Sequence, residues 1–265
     1  MSASIVFKAD CRHFRGDIPC KPHKQEGVHC VDCRYYEPTD RNILIIKLGA
    51  IGDVIRTTPL VEKLRSEYPT GRIWWLTLTP EVLPASVDYK LRFDMASVIS
   101  LLAVNFDLVI NLDKDREACA ILDRLEASVK KGFTIRNGIC APIDDDAVHK
   151  FHTGIFDDVN QANTKHYVEE MFEICGYEWK GEEYQLDVQQ PFDIEAAAMS
   201  LGLAVDTGKP IIGLNTGCGG RWTSRLWDEE NWAELARRCR AEGFQPLFLG
   251  GEQEHEKNER LAKRP

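Results

Sequence analysis

The stretch Asn42 to Pro69, NILIIKLGAIGDVIRTTPLVEKLRSEYP, decides the fold. Asn42 to Lys47 is an aliphatic run of strand length, broken by Leu48-Gly49-Ala50-Ile51-Gly52-Asp53 before apolar residues return at helical spacing at Val54, Leu60, Val61 and Leu64. Strand, glycine turn and amphipathic helix in that order open many parallel α/β sheets. The first turn of such a helix points unpaired N–H groups at the crevice beyond the strand, and Asp53 sits there.

Working outward, Arg72 to Leu78 and Phe106 to Leu112 read as further strands, and Lys131 to Ile135 as a shorter one. Pro80 to Val87, the residues after Asp113, and Thr164 to Cys175 read as helices, while Asn137 to Asn163 loses periodicity and reads as a polar loop at a cleft. His149 and His152 beside Asp144-Asp145-Asp146 raise a metal site against a solvated loop, and the loop is the simpler reading. Pro191 to Leu203 is expected to form a helix bridging two domains. Ile211 to Asn215 and Pro246 to Leu249 are strands that each end in a glycine-rich turn, with helices at Asp228 to Ala241 and from about Glu252.

The net charge of -9 and the pI near 5.4 argue against nucleic acid as a partner, because phosphate neutralisation needs clustered cations. The N-terminus has neither the basic start nor the apolar core of a secretory signal, and no stretch reaches the roughly 20 apolar residues of a membrane helix. A cytoplasmic protein is therefore expected, with most of its nine cysteines free, buried or metal-bound.

Residues 1–40 differ in composition, with cysteine, histidine, glycine and proline but almost no aliphatic core former. Hydrophobic burial alone does not fold such a segment, and a metal cross-link is the usual remedy. Cys11, Cys20, Cys30 and Cys33 are spaced Cys-x8-Cys-x9-Cys-x2-Cys, the last pair like a zinc knuckle, and thiolates suit tetrahedral zinc. His13, His23 and His29 are substitute ligands. Unmetallated thiols and an iron–sulfur cluster are the other readings.

KLGAIGDVIRTTP, then GLNTGCGGRWTSRLWDEENWAELARR and PLFLGGEQE, resemble in order the ADP-heptose:lipopolysaccharide heptosyltransferases, glycosyltransferase family nine. The resemblance runs from about residue 41 to the end and implies an α/β fold of GT-B type. That fold has two Rossmann-like doubly wound domains, here 41–190 for the acceptor and 191–265 for the nucleotide sugar. Two strands and about two helices are less than half of a Rossmann-like sheet, so the second domain is expected to be incomplete. The family's later turn and histidine-bearing helix would fall beyond Pro265, and Asp206-Thr207-Gly208 precedes its domain's first strand and is not assigned that role. Catalysis by these 265 residues is correspondingly in question.

The resemblance implies an inverting transfer of a heptose-like sugar from an ADP-sugar donor to a lipopolysaccharide-core or related lipid-linked glycan, at the cytoplasmic face of an inner membrane. Asp53 matches the catalytic carboxylate, against the plainer role of complementing the helix dipole. Gly49 and Gly52 fall at the acceptor side. Thr216 and Gly217 offer a hydroxyl and backbone N–H groups to the leaving diphosphate. Arg225 stands where the family has a lysine, Arg221 is its rival, and either is alternatively a surface cation. Glu254 matches a carboxylate facing the donor ribose, or is an exposed glutamate opening a helix. Transfer itself needs no cofactor on this reading, so zinc would be structural. The runner-up is a non-catalytic sugar-nucleotide or protein-binding module docked through its cysteine segment. A dehydrogenase is disfavoured, since no G-x-G-x-x-G follows the strand.

Overall fold

The computed structural model describes residues 6–187, 193–200, 202, 205–206, 208–218 and 220–264, the side chains of 220–222 excepted. The chain divides into two units, Met1–Val188 and Gln189–Pro265, and the first includes the cysteine-rich residues. In chain order the first unit runs α1 (Lys21–Glu26), β1 (Asn42–Ile46), α2 (Ile51–Thr57), α3 (Pro59–Glu67), β2 (Arg72–Thr77), β3 (Tyr89–Arg92), α4 (Met95–Leu101), β4 (Phe106–Asn111), α5 (Arg116–Arg124), β5 (Ala127–Arg136), β6 (Ile139–Pro142), α6 (Val148–His152), α7 (Asp157–Ala162) and α8 (Tyr167–Ile174). The second runs α9 (Ile194–Ser200), β7 (Ile211–Asn215), α10 (Glu229–Ala241), β8 (Gln245–Leu249) and α11 (His255–Ala262).

The first unit is a six-stranded sheet ordered β3-β2-β1-β4-β5-β6, parallel throughout except for β6. β1 lies at its centre, with Ile43 opposite Ile73 of β2 and Leu108 of β4. Successive side chains of a strand point to opposite faces, so an unbroken aliphatic run requires cover on both. Ile43 and Ile45 join one core with α2, α3 and α8, through Val54, Leu60, Leu64 and Phe172. Leu44 and Ile46 join the other with α4 and α5, through Leu101, Ala118 and Leu122. All four β1 side chains are fully buried, each contributing roughly 1.5–3 kcal/mol. The first unit is thus an α/β layer structure of Rossmann-like type. In the second unit β7 and β8 pair in parallel, Ile211 with Gln245 through Asn215 with Leu249, and Ala236 of α10 and Leu261 of α11 are buried.

Several expectations are corrected. The helix after Gly52 is two helices, because Pro59 has no N–H to continue the ladder and instead begins α3. Pro80 to Val87 is helical only as a 3₁₀ turn over Pro80–Val82, and β3 follows as a strand beside β2. The short strand at Lys131 to Ile135 is part of the longer, ten-residue β5, which begins at Ala127.

The polar loop at 137–163 is largely ordered, as β6, a 3₁₀ turn over Asp145–Ala147, α6 and α7. Its polar side chains converge on Glu170 of α8, which is only 3% exposed. Lys150 pairs with it at 2.6 Å, Asn163 donates at 3.2 Å, Thr153 at 3.4 Å, and His149 stands 3.6 Å away. A carboxylate buried this deeply needs such partners, which is why the region is polar without being a loop. His149 therefore serves Glu170 and Asn163, and the His152 ring packs tilted against Phe156. The helix expected over Pro191 to Leu203 is observed as Ile194–Ser200, while 191, 192, 201 and 203 lie outside the described residues.

Candidate active site

Two clusters stand at the carboxyl ends of strands, one in each unit. In the first, β1 ends at Ile46 and its successor Lys47 is 4% exposed. Lys47 Nζ donates to the Gly49 carbonyl at 2.7 Å and forms an ion pair with Asp113 Oδ1, whose other oxygen accepts from the Leu48 N–H. Asp113 lies just past the end of the neighbouring β4, so this pair fastens the turn to the next strand. Asn111 extends the clamp, donating to the carbonyls of Asp113 at 2.9 Å and Phe133 at 2.7 Å. Burial pushes the Asp113 carboxyl up, and the attraction of Lys47 opposes it.

The clamped turn delivers Asp53 to the first turn of α2, where the side chain is 33% exposed. Arg56, one turn on, pairs with Asp53 Oδ1. The Arg56 guanidinium lies 4.0 Å above the ring of Tyr167, the first residue of α8, and Lys150 Nζ is 5.3 Å from the same ring. Burial, and then the negative charge of Asp53, push the Tyr167 phenol up, so it remains a neutral platform beneath the cation. Gly49 and Gly52 flank this turn, neither at positive φ, and the Gly49–Ala50 peptide bond is cis. A Cβ on Gly52 would meet nothing within 4 Å, and one on Gly49 would sit 3.6 Å from Leu78, so there is room for a side chain at both positions.

In the second unit, Asn215, Gly217, Gly250, Gly251 and Glu254 line an open concavity beyond β7 and β8. Glu254 Oε2 accepts from the Gly251 N–H at 2.9 Å, and the carboxyl group lies against the space above Gly217, where a Cβ would come within 2.5 Å of it. The structure thus brings Gly217 and Glu254 together. Thr216 is 2% exposed, and its hydroxyl faces Asn258 Oδ1 at 2.5 Å and the Leu249 carbonyl at 3.3 Å, contacts that secure the turn. Lys257 Nζ reaches the Thr216 carbonyl at 2.7 Å, bringing a cation to this turn. Arg225 is exposed at the end of the 3₁₀ turn Gly220–Arg225, while the Arg221 side chain and Thr207 lie outside the described residues.

The sequence model of glycosyltransferase family 9 (heptosyltransferase) matches residues 96–264, more than half of the chain. The chain belongs to glycosyltransferase family 9. As a family 9 member it is a glycosyltransferase. No curated protein matches it. Among solved structures, a glycosyl transferase family 9 protein from Veillonella parvula is similar at TM-score 0.56 and 20% identity, over 86% of this chain and 67% of that one. Heptosyltransferase WaaC of E. coli with ADP follows at TM-score 0.52 and 20% identity, over 84% and 71% of the two chains. ADP-heptose lps heptosyltransferase II of E. coli is similar at 0.54 and 16%, over 83% and 67%. At these identities the likeness speaks for the fold.

The family 9 match begins at residue 96, after Asp53 and the cysteine-rich segment. In the first unit a partly exposed carboxylate, Asp53, stands beside the cation Arg56; in the second, the glycine backbone of the turn stands beside the carboxylate of Glu254. Lys47, Asp113, Tyr167 and Lys257 went unread in the sequence. Arg56 alone carried a signal, three residues after Asp53 on a helix, where side chains meet. Among the described residues no helix is long and apolar enough to cross a membrane.

Proposed function

We propose that this family 9 enzyme transfers a heptose-like sugar, with inversion, from an ADP-sugar to a hydroxyl of a lipopolysaccharide-core or related cell-surface glycan. The observation carrying this reading is Asp53, held at the carboxyl end of the central strand by a buried clamp and paired with Arg56 through one oxygen. Arg56 pairs with Oδ1, which leaves Oδ2 as the oxygen for the acceptor.

In the transfer, Asp53 takes the acceptor O–H proton as that oxygen bonds to the anomeric carbon. The bond from this carbon to the diphosphate breaks, and ADP leaves with the electron pair. Negative charge on the departing diphosphate is met by the backbone N–H of Gly217, which exchanges the Asn215 side chain at 3.3 Å for the diphosphate, with Arg221 or Arg225 as the cation, and Glu254 addresses the ribose. The ADP donor draws support from the solved WaaC, which holds ADP. A lipid-linked acceptor would bring the enzyme to the cytoplasmic face of the inner membrane as a peripheral protein.

The test is Asp53→Asn assayed with ADP-heptose and a lipopolysaccharide-core acceptor, alongside calorimetry with ADP. Loss of turnover by about 10²–10⁴-fold with ADP binding retained is expected. Normal turnover by the variant would remove Asp53 from the mechanism, and absence of ADP binding by the unaltered protein would remove the donor.

A further inference from the structure

We infer that Cys11, Cys20, Cys30 and Cys33 bind one structural zinc ion as four thiolates, at the end of the first sheet opposite Asp53. The cysteines are spread over 23 residues of chain, yet all four line one small cavity of about 20 Å³, together with His13, Phe14 and Tyr36. That is room for a single ion or water. All four thiols are free of disulfides, and Cys11 is buried. Among the described residues no three His, Cys, Asp or Glu side chains already stand in a ligating array, so the site forms as the thiols turn about their Cα–Cβ bonds onto the ion.

The surrounding segment gives the reason for an ion. Of the described residues 6–40, only Cys11 and Pro22 are buried, while Val6, Phe7, Ile18 and Val31 are exposed. With no core of its own, the segment needs a cross-link, and a tetrathiolate supplies four at once. The backbone suits it. Cys11 opens a turn closed by the Phe14 N–H at 3.0 Å, Cys20 precedes α1 with its side chain unused in capping, and Cys30 and Cys33 flank a tight turn.

The alternative imidazole ligands are otherwise occupied. His23 Nδ1 bonds the Val28 carbonyl at 2.9 Å, His29 packs edge-on against His23, and neither lines the cavity. His13 lines it, but its Nε2 lies 3.4 Å from Glu37. Four thiolates on a divalent ion carry excess negative charge, and Lys8 lines the cavity to offset it, placed 3.8 Å over the Tyr36 ring.

The ion's role follows from where the segment docks. Arg12, next to Cys11, donates to Asp88 at 2.8 Å and to the Gly71 carbonyl at 3.1 Å, and Arg72 reaches the Cys11 carbonyl. These residues precede or open β2 and β3, at the amino ends of the parallel strands. Asp53 stands past the carboxyl end of β1, so the ion takes no part in sugar transfer and braces the sheet from behind.

The experiment is metal analysis of the full chain purified without added metal, followed by exchange for Co²⁺. About one zinc per chain is expected, with cobalt giving the strong near-ultraviolet charge-transfer absorption of several thiolates. Cys30→Ser/Cys33→Ser should lose the ion, while Cys218→Ser, outside the cluster, should retain it. If the double variant does not fold, release of zinc from the unaltered protein by a thiol-modifying mercurial, read with a chromogenic chelator, tests the same point. A folded protein holding no zinc and taking none from a Zn²⁺ solution would overturn the assignment, as would iron bound in its place, or zinc persisting after all four thiols are blocked.

Discussion

Replacing Lys47 by methionine keeps the volume of the buried stem but removes the ammonium that faces Asp113. The pair is nearly sealed from water, with side-chain exposures of 5% and 8%. Breaking a buried ion pair from one side costs about 3–5 kcal/mol, mostly because the remaining charge is left without a counter-ion. Asp113 would keep the Leu48 N–H, so the lower end, about 3 kcal/mol, is expected. For a unit of this size that corresponds to a melting temperature lower by roughly 6–12 °C. The pH dependence has a definite sign. Burial already raises the Asp113 pKa, Lys47 restrains it, and without Lys47 it rises further. A carboxyl whose folded pKa exceeds its unfolded one holds its proton more tightly when folded, so stability is lost as pH rises through that interval. The Lys47→Met deficit is therefore largest at neutral to alkaline pH and shrinks toward acid. Urea unfolding at several pH values reads this directly. Adding Asp113→Asn to Lys47→Met should recover most of the loss, because no charge is then stranded. A Lys47→Met protein within about 0.5 kcal/mol of the parent, or a deficit that does not change with pH, would refute the reasoning.

Gly132→Ala should be severely destabilising, by about 3 kcal/mol or more in thermal or urea unfolding, since Gly132 has φ +94° and a Cβ would lie 1.9 Å from the Asn111 carbonyl oxygen. Gly217→Val should behave differently: its Cβ meets the far end of the Glu254 side chain, which can swing away, so stability changes by less than about 1 kcal/mol. ADP affinity measured by calorimetry should nevertheless fall at least about tenfold as the concavity fills. Asp53→Asn should leave the melting temperature within a few degrees of the parent while turnover collapses, because the side chain is one-third exposed and its partner Arg56 is itself 44% exposed.

Much of the fold was legible where physics acts locally. An aliphatic run ended by Gly49 and Gly52 reads as a buried strand and its turn whatever surrounds it, which places Asp53 at a strand's carboxyl end. β7 with its glycine turn and β8 with Gly250-Gly251 were legible for the same reason. The stretch at 137–163 was not, because α6 and α7 are five and six residues long, too short for a hydrophobic period. Their order comes from Glu170 instead, a partner from another element. Nor was the partner of Thr216 legible, because only packing brings Asn258, 42 residues later, to its hydroxyl.

The sequence by itself determined the parallel α/β class, the central strand, the position of Asp53 and the family, since each rests on residues adjacent in the chain or on a local period of apolar side chains. Only the tertiary structure decided that Lys47 clamps the turn before Asp53 through Asp113, 66 residues away, that Arg56 rests on Tyr167, and that four scattered cysteines line one cavity. Such pairings depend on which strand ends lie side by side, and a one-dimensional pattern carries no term for that distance.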